Sequence, residues 1–162
     1  MTTTPSGVIE RSLDIAARPE IVFRLLTDPK QILRWQGLEA DVDPQPGGIY
    51  RVKMNALGHT ILGRFVEVTP ISRVAFTWGW EHTDIPVPAG STTVEITLTP
   101  SANGTLLHLL HRGLPPVEEL VQAHSLGWDH YIERLAAVAE GRPLEADDPW
   151  AAGSMGAPDA TN

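Results

Sequence analysis

The pattern of apolar and polar positions changes twice near the start of the chain. Residues 8–17, VIERSLDIAA, alternate apolar with polar side chains, and this period of two predicts a half-buried strand. Helical spacing follows from Pro19, a residue that suits the first turn of a helix. Asp28 and Pro29 interrupt this spacing, so a second short helix ending near Trp35 is expected. The chain therefore begins with one strand and two short helices.

The middle of the chain alternates again and is divided by turn residues. DPQPGG at 43–48 places a turn before a strand, and Thr-Pro-Ile-Ser at 69–72 joins the next two strands. Ser-Ala-Asn-Gly at 101–104 joins a further pair. About six strands are expected in this region, with consecutive strands paired as an antiparallel meander.

Helical spacing returns after Pro115 and Pro116 and continues for about 25 residues, until Gly141 stops it. At about 100° per residue, His124 falls on the apolar stripe and His130 on the opposite face, so one ion cannot bind both. The other members of the stripe are Val117, Val121, Trp128, Ile132, Leu135 and Ala139. A long C-terminal helix with one buried face is predicted.

This order of elements predicts an α+β fold in which a curved antiparallel sheet of about six or seven strands wraps around the long C-terminal helix. One domain is expected over residues 8–141, which suits a chain of 162 residues. Residues 1–7 are expected to form an N-terminal tail, and residues 142–162 a C-terminal tail from which Trp150 docks back on the domain.

Composition removes several classes of function. The absence of cysteine excludes disulfides, a thiolate nucleophile and sulfur-ligated metals, and a net charge of −8 disfavours nucleic acid as a partner. No apolar run is long enough to cross a bilayer, and the N-terminus lacks a secretory pattern, so we expect a cytoplasmic protein without membrane contact. Standard nucleotide, hydrolase and metal motifs are absent, and neither a cofactor nor a metal is predicted.

Several segments resemble a known family in their order and spacing. The resemblance covers roughly residues 8–141 and is to the START-like helix-grip superfamily, SRPBCC, within it to homologues of the activator of the heat-shock-protein-ninety ATPase. The segments that carry it are ARPEIVFRLLTDPKQILRW, DVDPQPGGIYRV, GRFVEVTPISRVAFTWGW, HRGLP and HSLGWDHYIERLAAVAEG.

The resemblance implies a cavity between sheet and helix that takes a small apolar molecule such as a lipid, a polyketide or an aromatic compound. It also implies the inward-facing candidates for ligand contact: Trp35, Tyr50, Met54, Trp78, Trp80, His111, His124 and Trp128. Aromatic rings supply contact area in such a pocket, and imidazole or phenol groups orient the ligand. Two alternatives stay open, because His124 also suits an ordinary core histidine and the two tryptophans at 78 and 80 also suit sheet packing.

Three functions remain in competition. The first is ligand binding without catalysis, and the second is a polyketide cyclase or aromatase, or a related self-resistance protein. In that second case His124 or His111 is the general base, with Tyr50 or Tyr131 positioning an enolate. The third is a co-chaperone that stimulates a heat-shock-protein ATPase. Binding is favoured over catalysis, a homodimer is left open, and the loop at 81–90 is a candidate lid over the cavity.

Overall fold

A computed structural model describes residues 7–82 and 84–144 of the chain. These residues contain eight strands and three helices. The expected docking of Trp150 lies outside these residues. In chain order the elements are β1 (Ile9–Ile15), α1 (Pro19–Thr27), α2 (Pro29–Ile32), β2 (Glu39–Val42), β3 (Ile49–Lys53), β4 (Thr60–Thr69), β5 (Arg73–Trp78), β6 (Trp80–Glu81), β7 (Thr92–Pro100), β8 (Thr105–Arg112) and α3 (Glu118–Glu140).

The sheet is the antiparallel meander that the turns predict, with β1 added at one edge. Its order is β1-β8-β7-β5-β4-β3-β2, and β6 pairs with β4 off this path. The first strand lies antiparallel to the last, with Ile9 opposite His111 and Ile15 opposite Thr105. Leu107, Leu109 and His111 of β8 point into the core, which decides the inward face that alternation alone left open. The α+β helix-grip prediction is confirmed.

Two of the eight strands have no clear pattern in the sequence. The short β2 carries Glu-Ala-Asp-Val, and β6 has only two residues. The spacing of two residues between Trp78 and Trp80 predicts one face of a single strand, but Gly79 separates them into β5 and β6. A Cβ atom at Gly79 would lie 1.8 Å from the carbonyl oxygen of Pro88, so only glycine allows the chain to pass there. The two indole rings still meet edge to face at 5.2 Å.

The long helix α3 begins a little later than its sequence pattern indicates. Val117 is extended and precedes the first helical residue, so the helix starts at Glu118 rather than at the two prolines. It ends at Gly141, whose φ of 75° is the left-handed conformation that glycine adopts without strain. Trp128, Ile132 and Leu135 are buried against the sheet.

The helix pair α1–α2 is fixed to α3 by polar contacts around Trp35. Asp28 separates the two short helices and accepts hydrogen bonds from the backbone N–H groups of Lys30 and Gln31. The Trp35 indole donates to the carbonyl of Leu25 at 2.7 Å, and the Arg134 guanidinium of α3 donates to the Trp35 carbonyl at 2.9 Å. These bonds hold the next residue, Gln36, beside α3.

The turn between β4 and β5 contains a strained residue. Ile71 has a φ of 73° in a turn closed by a hydrogen bond from the Ser72 N–H to the Thr69 carbonyl. A branched side chain disfavours this conformation, whereas glycine adopts it freely. We expect Ile71→Gly to raise the free energy of unfolding by about 1 kcal/mol. Urea unfolding measures this, and an unchanged or lower value would contradict it.

Candidate ligand-binding cavity

A cavity of about 520 Å³ lies between α3, the strands β4 to β6 and the loop that follows β6. Five of the eight predicted contact residues line it: Met54, Trp78, Trp80, His124 and Trp128. The volume falls within the range of roughly 300–1,000 Å³ that is typical of small-molecule sites. The sequence therefore located most of the aromatic wall, but not all of the predicted set lies at the cavity surface.

The cavity also has lining residues outside the predicted contact set, although Val117, Tyr131 and the loop at 81–90 were singled out for other reasons. Its apolar members are Ile61, Ile85, Pro86, Val117, Leu120, Ala123 and Gly127, and its polar members are Gln36, Asn55, His59, Glu119 and Tyr131. The apolar members within α3 lie on one flank of the helix, about 80–140° from Trp128 at 100° per residue, and therefore outside the predicted stripe. The polar residues at 36, 55 and 59 lie outside any regular pattern, and no periodic signal indicates them.

Gly127 leaves space on the cavity side of α3. An ideal Cβ atom built at this position meets no heavy atom within 4 Å. Glycine in a helix interior costs roughly 1 kcal/mol relative to alanine, and no close packing compensates for it here. The missing side chain at position 127 enlarges the cavity.

Trp35, Tyr50 and His111 lie behind the cavity wall, within the packed core. The ring of Tyr50 stacks on Phe76 at 4.1 Å, and its hydroxyl accepts a hydrogen bond from Nε2 of Gln36 at 2.9 Å. Burial raises the pKa of Tyr50, an effect that the Gln36 bond partly opposes. The resemblance implied that these residues face inward, and they are buried, but it does not show whether a side chain ends at a void or against other side chains.

His111 lies within a chain of buried hydrogen bonds. The Thr92 hydroxyl donates to the Trp78 carbonyl at 2.7 Å, so its oxygen accepts from His111 Nε2–H at 2.8 Å. His111 Nδ1 accepts in turn from the Trp128 indole at 2.9 Å. Burial, helped by nearby His124, lowers the pKa of His111 to about 3. This histidine links α3 to the sheet and has no lone pair left for chemistry.

His124 is likewise paired at both nitrogens. Its Nδ1 lies 2.8 Å from the Leu120 carbonyl, which accepts only, so Nδ1 carries the proton. Its Nε2 accepts from the Trp80 indole at 3.1 Å. Burial lowers the pKa of His124, an effect that the backbone bond partly opposes. His124 is therefore a half-buried residue of the cavity wall with both ring nitrogens paired within the protein.

Both ring nitrogens of His111 and of His124 are already engaged within the protein. Within residues 7–82 and 84–144, no carboxylate bonds to His111 or His124, and no cluster of His, Asp or Glu has the geometry to hold a metal ion. A general base needs a free lone pair directed at the substrate, and neither imidazole offers one in this arrangement.

The loop after β6 forms part of the cavity wall. Ile85 and Pro86 line the cavity, while Val87 is fully buried and its carbonyl accepts from the Trp80 N–H at 2.8 Å. The segment is therefore anchored behind the residues that face the ligand space. Movement of this loop as a lid stays a prediction.

No helix among the described residues has the length and apolar character needed to cross a membrane.

The model of one protein family, Activator of Hsp90 ATPase homolog 1-like protein, matches residues 16–140. No curated protein matches the chain. Many solved structures match it, and three of them are informative.

An AHSA1-like protein from Rhizobium etli is 45% identical, with 86% of each chain covered and a TM-score of 0.67. DynU16, from the dynemicin biosynthetic locus, is 25% identical with a TM-score of 0.72, and the match covers 88% of this chain and 51% of DynU16. The Aha1 dimer from Colwellia psychrerythraea is 16% identical with a TM-score of 0.70, over 82% of this chain and 96% of that one, which shows the fold alone. The chain belongs to the family of Activator of Hsp90 ATPase homolog 1-like proteins.

Proposed function

We propose that this protein binds a small apolar molecule in the cavity between α3 and the sheet. The observation that carries the proposal is the cavity of about 520 Å³ with an aromatic wall of Trp78, Trp80 and Trp128. Such a wall gives an apolar ligand a large contact area at little cost in side-chain conformational entropy. The glycine at position 127 supports the same function, because it widens the cavity at the expense of helix stability.

Binding without turnover is the form of the proposal that the side chains support. Catalysis by His124 would require its Nε2 to release the Trp80 indole, and catalysis by His111 would break the bonds that join α3 to β7 and β8. Polyketides and aromatic compounds are among the apolar ligands of suitable shape. The similarity to DynU16 of the dynemicin biosynthetic locus is consistent with a ligand of this kind.

Titration with Nile red, an uncharged dye whose emission shifts to the blue in apolar surroundings, tests the proposal. We expect saturable binding of one dye per chain, seen also as an added mass in native mass spectrometry. Trp80→Ala removes part of the wall and is expected to weaken binding roughly tenfold, as a loss of about 1.4 kcal/mol would.

Val66→Ser is the matched control, because Val66 is an exposed apolar residue of β4 outside the cavity. Its dye affinity is expected to equal that of the wild type. Equal weakening by both substitutions would place the dye on the surface, and absence of any saturable shift would reject the cavity as a binding site.

A further inference from the structure

The polar groups of the cavity differ in whether the protein already uses their hydrogen-bonding capacity. His124 and Trp80 bond to each other, so neither is available to a ligand. Asn55 is also committed: its Oδ1 accepts from the backbone N–H groups of Leu57 and His59, and its Nδ2 contacts Nδ1 of His59 at 3.0 Å. The remaining capacity of interest lies on Gln36 and His59.

Gln36 carries a buried acceptor that has no hydrogen-bond donor among the described residues. Its side chain lines the cavity while the residue is only 3% exposed, and its Nε2 donates to the Tyr50 hydroxyl. The carbonyl oxygen Oε1 accepts no hydrogen bond from residues 7–82 and 84–144. Buried acceptors are normally paired, because losing water without gaining a donor is unfavourable. A donor on a bound molecule would pair with this oxygen.

His59 provides a donor whose tautomer is fixed by its neighbour. The two backbone donors on Asn55 Oδ1 determine which way the Asn55 amide points, so its NH₂ group faces His59 Nδ1. Nδ1 must then accept, and the ring proton of the neutral imidazole lies on Nε2. Within the described part of the chain, Nε2 has no partner, and the ring lines the cavity.

The charges around the cavity disfavour anions. Glu119, an exposed residue, lines the cavity, and no lysine or arginine is among its described lining residues. A carboxylate moved into such a space would lose its hydration without gaining a cationic partner. An uncharged ligand avoids this cost.

We infer that the cavity selects an uncharged ligand with an apolar body that carries a hydroxyl group against Gln36 Oε1 and a carbonyl or ether oxygen against His59 Nε2. This inference rests on the proposed function, since it names the chemical class that the same cavity takes. The inference predicts that fatty acids and other carboxylates do not bind, whereas an apolar cavity by itself would not exclude them.

Displacement of bound Nile red by substituted naphthalenes tests the inference. The four probes carry, at one ring position, a methyl, a hydroxymethyl, an acetyl or a carboxylate group. Gln36→Met removes the acceptor and is expected to weaken the hydroxymethyl probe roughly tenfold while leaving the methyl probe unchanged. His59→Phe removes the donor and is expected to weaken the acetyl probe by roughly the same factor. The carboxylate probe is expected not to displace the dye.

The outcomes separate this inference from the proposed function. Equal changes for all probes in both variants, or a carboxylate that binds the wild type as tightly as the hydroxymethyl probe, would overturn the inference while the cavity still binds dye. Failure of Nile red to bind the wild type would reject the proposed function itself. If Gln36→Met does not fold, as judged by its circular dichroism, the acetyl probe with His59→Phe and the wild-type carboxylate comparison still decide the question.

Discussion

Gly127→Leu is expected to weaken Nile red binding roughly 10- to 100-fold without loss of the fold. The leucine side chain would extend into the space that the missing Cβ leaves on the cavity side of α3. A ligand must then displace it or pack badly against it, and overpacking of this kind costs about 1–3 kcal/mol. Helix stability should rise at the same time, because leucine is favoured over glycine in a helix interior by nearly 1 kcal/mol. Dye titration and thermal unfolding of one sample measure both effects.

Gly127→Ala is the matched control for this substitution. Its single methyl group meets no heavy atom within 4 Å, so it should raise the free energy of unfolding by roughly 1 kcal/mol. For a chain of this size such a gain corresponds to a melting temperature about 2–4 °C higher. The methyl group occupies little of the cavity, and dye affinity should stay within about threefold of the wild type, a change of only ~0.7 kcal/mol. Unchanged binding in the leucine variant would show that the dye does not occupy this space.

The sequence predicted those features that depend on periodicity. Alternation and turn residues gave the meander from β3 to β8, and the stripe of α3 gave Trp128 as part of the buried face. It did not give β2 or β6, because four residues and two residues are too short to show a period. The separation of Trp78 from Trp80 depends on the passage of Gly79 beside Pro88, a contact between residues nine positions apart that hydrophobic periodicity does not show.

The candidate site was predictable only in part, for a similar reason. The inward set included Tyr50 and His111, which are buried but end against other side chains rather than at the void. It omitted Gln36 and His59, whose roles depend on a tyrosine hydroxyl 14 residues away and on an asparagine amide four residues away. Periodicity reports which way a side chain points, whereas a cavity and its hydrogen-bonding groups are defined by what other segments leave unfilled.

Acidification from pH 7.5 to pH 5.5 is expected to destabilise the wild-type fold, with His111 as one main cause. In the folded chain burial lowers the pKa of His111 to about 3, against an ordinary value of 6.5. Below pH 6.5 the unfolded state therefore binds a proton that the folded state does not, and stability falls until the pH reaches the folded-state pKa. This histidine alone should cost about 1.4 kcal/mol at pH 5.5, a decrease in melting temperature of roughly 3–6 °C.

His111→Gln should remove this part of the pH dependence while preserving the buried contacts. The glutamine amide has an acceptor for the Trp128 indole and a donor for the Thr92 hydroxyl, but it does not titrate. His124, whose pKa burial also lowers, keeps its own contribution in the variant, so the dependence should decrease rather than vanish.

The same substitution at His82, whose side chain is 89% exposed, measures the effect of losing a histidine at the surface. A variant at position 111 that loses stability with falling pH as steeply as the wild type would show that the pKa of His111 in the fold lies near its ordinary value. In that case His111 would again be a group able to accept a proton from a ligand. The expected result instead leaves His111 as the neutral link between α3 and the sheet, and leaves recognition to Gln36 and His59.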